Sequence, residues 1–237
     1  MTKYNLTKLT PFVYNIDYTN GVSFCRNGKY RTRHINFVRK KETVMGRRGL
    51  NAEVIMEAAI ELVEEKGYRN FSMRELAARL GVQPASLYNH VNGIEEVNTA
   101  VGMHGITELE KALKQAYTYS DFTEALGIMA DAYRKFAMES PELYQAIIEM
   151  RTSENEELKH AIQRIIHPFL VLIGREVKDH EKTVNLQRTI RSALHGFVSL
   201  EQEGYLTYEN PDSSTSFRYM VESLAVLVMR EGEKERL

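Results

Sequence analysis

From Leu50 onward, apolar residues recur with the spacing of helices. In "LNAEVIMEAAIELVEEKG" the stripe Val54, Ala58 and Leu62, with Ile55, Ala59 and Val63 beside it, predicts one amphipathic helix ended by Gly67. "FSMRELAARLG" opens on Ser72 with Glu75 three residues on, the pattern of a capping box. A longer period runs from Ile94 to Tyr117. Asp121 opens "DFTEALGIMADAYRKFAME", which stops at Ser140–Pro141, and Pro141 begins the short helix "PELYQAIIEM". Ser153 is the expected cap of "ENEELKHAIQRIIHPFLVLIG", and Asp179 opens "HEKTVNLQRTIRSALHGFVSLEQEG". The last helix expected is "FRYMVESLAVLVMREG". The pattern predicts an all-α chain of about nine helices, three of them short and close together, with no strand after residue 45 and no tandem repeat.

Residues 1–44 differ. They show no sustained helical period, and only "FVYNIDY" and "GVSFCRNGKY" read as short strands, with nothing following to pair them. They carry nine Lys and Arg against two Asp and Glu, a net +7, whereas residues 45–100 carry −2 and residues 101–237 carry −6. Two readings stand for this extension: a basic disordered arm that touches phosphates, or sequence upstream of a natural start at Met45. Composition favours the second.

The corner in "ELAARLGVQPASLYNH" carries the chemistry. With Met73 as the first position, Leu76, Leu80, Val82 and Leu87 fall where two crossed helices need apolar side chains. Ala77 sits where the helices approach most closely. Gly81 can take a left-handed conformation without a Cβ penalty, and Pro84 is preset for a helical first turn. That is a helix-turn-helix over residues 72–91, whose second helix can enter a major groove. Helical spacing turns Ala85 and Asn89 outward, with Ser86 beside them, His90 flanking, and Pro84 and Tyr88 at the edges of the inner face. Asn89 can pair bidentately with adenine, Ala85 can meet a thymine methyl, and Ser86, Tyr88 and His90 can donate to phosphates or base edges. Gln83, at the helix start, can do either. Tyr88 also reads as a core aromatic with only its hydroxyl at the surface.

Composition excludes several alternatives. The single cysteine, Cys25, leaves no intrachain disulfide and no multi-cysteine metal site, which fits a reducing cytoplasm. No apolar run has the roughly 18 to 20 residues of a membrane span, so no membrane partner is expected. His160 and His167 share a helix face, but no HExxH or trusted carboxylate spacing accompanies them, so no metal is expected. Neither a phosphate-binding glycine loop nor a catalytic constellation is present; no cofactor and no enzymatic activity are expected.

The segment "AAIELVEEKGYRNFSMRELAARLGVQPASLYNHV" resembles the N-terminal domain of the TetR family of bacterial transcription regulators. The "S-x-R-E-L-A-x-x-L-G-V" helix and the "LY-x-H-V" end of the second helix carry the likeness, which covers about residues 47–105. Further on, "SALHGFVSLE" resembles a motif in the ligand-binding domain of one subgroup. The resemblance implies a homodimer: a DNA-binding domain at 45–105, and a larger helical domain at 106–237 that binds an inducer and dimerises. Carried over residue by residue, it implies that Gln83, Pro84, Ala85, Ser86, Tyr88, Asn89 and His90 form the recognition helix. Ser72 and Met73 would meet the DNA backbone, Arg47 and Arg48 match the basic lead-in, and Arg74 is a further cation there. One departure is plain: a lysine usually follows the recognition helix, and this chain has Ile94.

In the larger domain, Tyr133, Phe136, Tyr144, His167 and Phe169 interleave aromatic surface with polar tips, suiting an apolar or aromatic small-molecule inducer. Plain hydrophobic core is the alternative for each. Ser192, Gly196 and Ser199 form a small-residue strip, and "FRYMVESLAVLVM" offers an apolar face through Met220, Leu224 and Leu227. Together they are expected to build a four-helix bundle across a dimer two-fold, with intrachain packing as the alternative. The function expected is a ligand-responsive regulator, a repressor released from double-stranded operator DNA. The alternative is a helical small-molecule-binding protein whose DNA binding has weakened, as Ile94 and the acidic front domain suggest.

Overall fold

The structure, a computed structural model, describes residues 49–150, 156–207 and 210–236. Those residues form nine α-helices and no strand: α1 (Ala52–Lys66), α2 (Met73–Leu80), α3 (Pro84–Leu87), α4 (Ile94–Lys114), α5 (Phe122–Glu139), α6 (Pro141–Ile148), α7 (Glu156–Ile173), α8 (His180–Gln202) and α9 (Ser213–Glu235). Asp121 and Asp179 open helices as expected, and Asn51 and Asp212 open two more. Asn51, Asp121, Asp179 and Asp212 each accept a hydrogen bond from a backbone N–H three residues on, satisfying a donor the helix leaves unpaired. The expected cap at Ser153 lies outside the described residues.

Three elements differ from the sequence reading. The period over Ile94–Tyr117 resolves into α4 up to Lys114 and a turn of 3-10 helix over Gln115–Thr118. The last helix begins at Ser213 rather than Phe217, because the Asp212 carboxylate caps the Thr215 N–H. The second helix of the helix-turn-helix is a single turn, Pro84–Leu87. Beyond it His90 and Val91 N–H groups both donate to the Leu87 carbonyl, at 2.9 and 3.0 Å, so the chain tightens and Asn89 and His90 stand on a turn.

Two apolar cores divide the described chain. The front core joins Ile55, Leu62, Leu76, Ala77 and Leu87 to Val97 and Val101 from the first half of α4. The rear core begins at Ile106 on the same helix and gathers α5, α7, α8 and α9. Helix α6 lies between them: Leu143 and Ala146 belong to the front core, Tyr144 and Ile147 to the rear. Where α4 crosses α6 it presents Gly105, and a Cβ there would lie 3.0 Å from the Leu143 carbonyl oxygen. Glycine permits this approach; a side chain would push the two helices apart.

Candidate nucleic-acid interface and ligand core

The turn between α2 and α3 is built from its residues. Glu75 N–H donates to Ser72 Oγ at 3.3 Å, while Glu75 Oε2 accepts from Ser72 N–H at 2.9 Å, a complete capping box. Gly81 takes the left-handed conformation at φ 66° and ψ 28°, and its N–H returns to the last carbonyls of α2. Leu76, Ala77 and Leu87 are essentially inaccessible, so the two helices are locked at their crossing. Gln83 is extended, and Pro84 begins α3.

Gln83, Ala85, Asn89 and His90 are exposed on one side of this unit, and Ser86 and Pro84 are half-buried beside them. Tyr88 is 57% exposed, so its ring stands on the surface; the inner-face placement from helical spacing is corrected, because the chain leaves regular helix at Tyr88. Ser72 and Arg74 are exposed at the start of α2. The Met73 side chain is buried in the front core, which leaves only its main chain to face outward. Arg47 and Arg48 lie outside the described residues.

Most cations of the front unit are neutralised locally. Lys66 pairs with Glu75, Arg79 with Glu65 and, at 3.2 Å, with Glu61, and Arg69 with Glu149 at 3.3 Å. Exposed Arg74 forms no ion pair among the described residues. The Lys66 ammonium, with the Ser72 cap, holds the Glu75 carboxyl down at about 2. Ile94, in the position of the usual lysine, packs against the front core. That side chain serves packing in this chain and carries no cation.

Four of the five expected pocket residues lie in the rear core or pack against it. Tyr133, Tyr144 and Phe169 are buried in the rear core, and Phe136 packs against both cores. His167 faces solvent from α7 and does not join them. The two phenols are hydrogen-bonded at 3.0 Å with rings edge-to-face at 5.8 Å, and the Tyr144 hydroxyl meets His195 Nδ1 at 2.7 Å. Burial pushes both phenols above their ordinary pKa, so both are neutral hydroxyls. The sequence reading missed His195 as a member of this chain. Its partner lies 51 residues away, and its position on an exposed part of α8 gave no signal of that contact. A cavity of about 340 Å³ opens elsewhere, against Tyr68, Arg69, Glu95, Asn98 and Met150, and none of the expected pocket residues lines it.

On α8, Ser192 is exposed, Ser199 is half-buried, and a Cβ on Gly196 would meet nothing within 4 Å. On α9, Leu227 is exposed, while Met220 and Leu224 pack partly against the protomer's own core. The exposed apolar side chains there are Tyr219 and Val226, at 74% and 62%, with Leu200 on α8 at 46%. The apolar α9 sequence carries large side chains on both faces, so periodicity did not separate them. Among the described residues no helix is long and apolar enough to cross a membrane.

Comparison with known proteins places both parts of the chain. The family description "Bacterial regulatory proteins, tetR family" matches residues 55–100, and "Tetracyclin repressor-like, C-terminal domain" matches residues 126–224. An uncharacterized HTH-type transcriptional regulator of Bacillus subtilis, YobS, is 30% identical over 172 residues, covering 71% of this chain and 88% of the relative. Another from Mycobacterium tuberculosis is 30% identical over 177 residues, covering 74% and 80%. Among solved structures, a Rhodococcus protein of unknown function superposes with TM-score 0.65 at 18% identity, covering 79% of this chain and 97% of the other. A minocycline-bound TetR variant from Acinetobacter baumannii gives 0.58 at 19%, covering 77% and 98%. At these identities the solved structures show a shared fold.

Proposed function

Because the chain belongs to the TetR family of bacterial transcriptional regulators, we propose that it is a repressor that binds operator DNA as a homodimer and is released by a small molecule held in its rear domain. Asn89, Ala85 and Gln83 read base edges in the major groove, with Tyr88, His90, Ser86 and the α2 start at Ser72 and Arg74 on the backbone. The observation that carries this reading is the exposed row Gln83, Ala85, Asn89 beyond a corner locked by Gly81 and Ala77. A row of polar and small side chains aimed outward on a rigid mount suits base readout.

Ligand response runs through α6 and α4. Helix α6 has one face in each core, and its Glu142 Oε2 accepts the Tyr68 N–H of the front domain at 2.6 Å. A ligand that moves Tyr144 therefore moves the mount of the DNA-binding unit, changing the spacing of two recognition elements across a dimer and shifting the population away from DNA. The dimer forms through α8 and α9, supported by open space at Gly196 and the exposed Leu200, Tyr219 and Val226.

Asn89→Ala tests the DNA reading. It is expected to lose about 1 to 3 kcal/mol of discrimination between operator and mismatched DNA. Unchanged selectivity would remove Asn89 from the interface. A second reading, a ligand-binding protein with weakened DNA affinity, is favoured by the paired cations Lys66, Arg69 and Arg79 and by Ile94 in the core. Gel shifts with DNA from the chain's own promoter separate the two: a salt-sensitive specific complex supports the regulator.

A further inference from the structure

One side of α8 carries a buried hydrogen-bond donor that lacks an acceptor and, one turn on, a partly covered cation. Gln187 is 3% exposed, and its Nε2 has no hydrogen-bond partner. Arg191, one turn on, is mostly covered and forms neither an ion pair nor a side-chain hydrogen bond among the described residues. His195 follows one turn later and holds the Tyr144 hydroxyl at 2.7 Å. Residues four apart on a helix are neighbours, so the three form one polar stripe. The groups that act electrostatically on Arg191 are the phenols of Tyr133 and Tyr144, and burial pulls its guanidinium down. Asp131, on the same helix as Tyr133, is acted on by Arg134 and Arg218 instead.

A buried amide N–H without an acceptor is costly, and one turn on the Arg191 guanidinium, partly covered and unpaired among the described residues, is available to an anion. Such a pair is retained where an acceptor arrives from outside. We propose that Gln187 and Arg191 form the head-group site of an organic carboxylate, with the Tyr133–Tyr144–His195 chain beside it as the trigger. The guanidinium and the amide donate to the carboxylate oxygens. The aromatic rings of Tyr133 and Tyr144 flank the apolar body of the acid. His195, exposed at the other end of the chain, marks the side from which the ligand enters. Because Tyr144 is on α6, an acid that repacks it moves the helix that holds Tyr68. This inference names the ligand class of the site proposed above and rests on that ligand-release reading.

Thermal shift and calorimetry on the full chain test it, with benzoate and hexanoate against benzamide, hexanamide and inorganic phosphate. Both acids are expected to raise the Tm while the amides and phosphate do not. Arg191→Gln is expected to weaken acid binding at least about tenfold. Without ligand, Gln187→Leu is expected to raise the Tm, because it removes an uncompensated buried donor. Equal binding of amides or of phosphate, no binding by either acid, or acid binding unchanged in Arg191→Gln would overturn the proposal. So would a Tm that falls in Gln187→Leu, which would give the Gln187 amide a structural role in the ligand-free protein. Acid binding that leaves the DNA complex intact would keep the ligand class and sink the release mechanism.

Discussion

Helices α4 and α6 cross where the front and rear cores meet, and the geometry of that crossing predicts the outcome of one methyl group. In Gly105→Ala the new Cβ would lie 3.0 Å from the Leu143 carbonyl oxygen and 3.2 and 3.3 Å from Ile147 Cγ1 and Cδ1. The carbonyl is backbone and cannot swing away, so α6 must shift. Gly127, inside α5, is the control, because a Cβ there meets nothing within 4 Å. Each substitution gains about 1 kcal/mol of helix propensity. Gly127→Ala keeps that gain and should raise the Tm by roughly 2–4 °C. Gly105→Ala adds an overpacking cost of about 1–3 kcal/mol, so it should fall below the control by about 2 kcal/mol, or roughly 4–8 °C. Thermal denaturation of the two variants side by side measures this, and operator binding reports the displaced α4. Equal Tm gains would refute the close-approach account and with it the role of α6 as a rigid coupler.

Three further outcomes follow. Gly196→Leu should leave the protomer folded, since the position faces open space, but convert dimer to monomer in sedimentation at low micromolar concentration. Glu75 has its pKa depressed to about 2 by Lys66 and Ser72. The stabilisation from its ionised form is therefore present above its unfolded value near 4 and lost as pH falls toward 2, so Glu75→Gln should flatten stability against pH in that acid window. If exposed Arg74 meets a phosphate as proposed, Arg74→Gln should weaken binding to all DNA sequences alike and lower the slope of log K against log salt by about 1.

The parts of the fold that local chemistry specifies were legible. Gly67, Ser72, Gly81, Asp121 and Asp179 end or open helices where they stand, because capping is settled within a few residues. The exposure of Gln83, Ala85 and Asn89 was also legible, whereas that of Tyr88 depends on where regular helix ceases. The ligand core was less so. The aromatic and polar pattern picked out Tyr133 and Tyr144, but the partner that joins them, His195, depends on contacts between α5, α6 and α8. His167 faced solvent because Phe169 and Pro168 took the buried side of α7. The cation deficit was visible only as a net charge; which lysines and arginines were already paired required the structure.

The central claim is that Gln83, Ala85 and Asn89 read DNA from a dimer. Selection of bound sequences from random double-stranded DNA by the full chain tests it most directly. The account predicts enrichment of a pseudo-palindrome whose half-sites repeat about one helical turn, or a multiple of it, apart, with adenine favoured at the position that Asn89→Ala relaxes. Recovery of no enriched sequence, or of a site indifferent to Asn89, would contradict it.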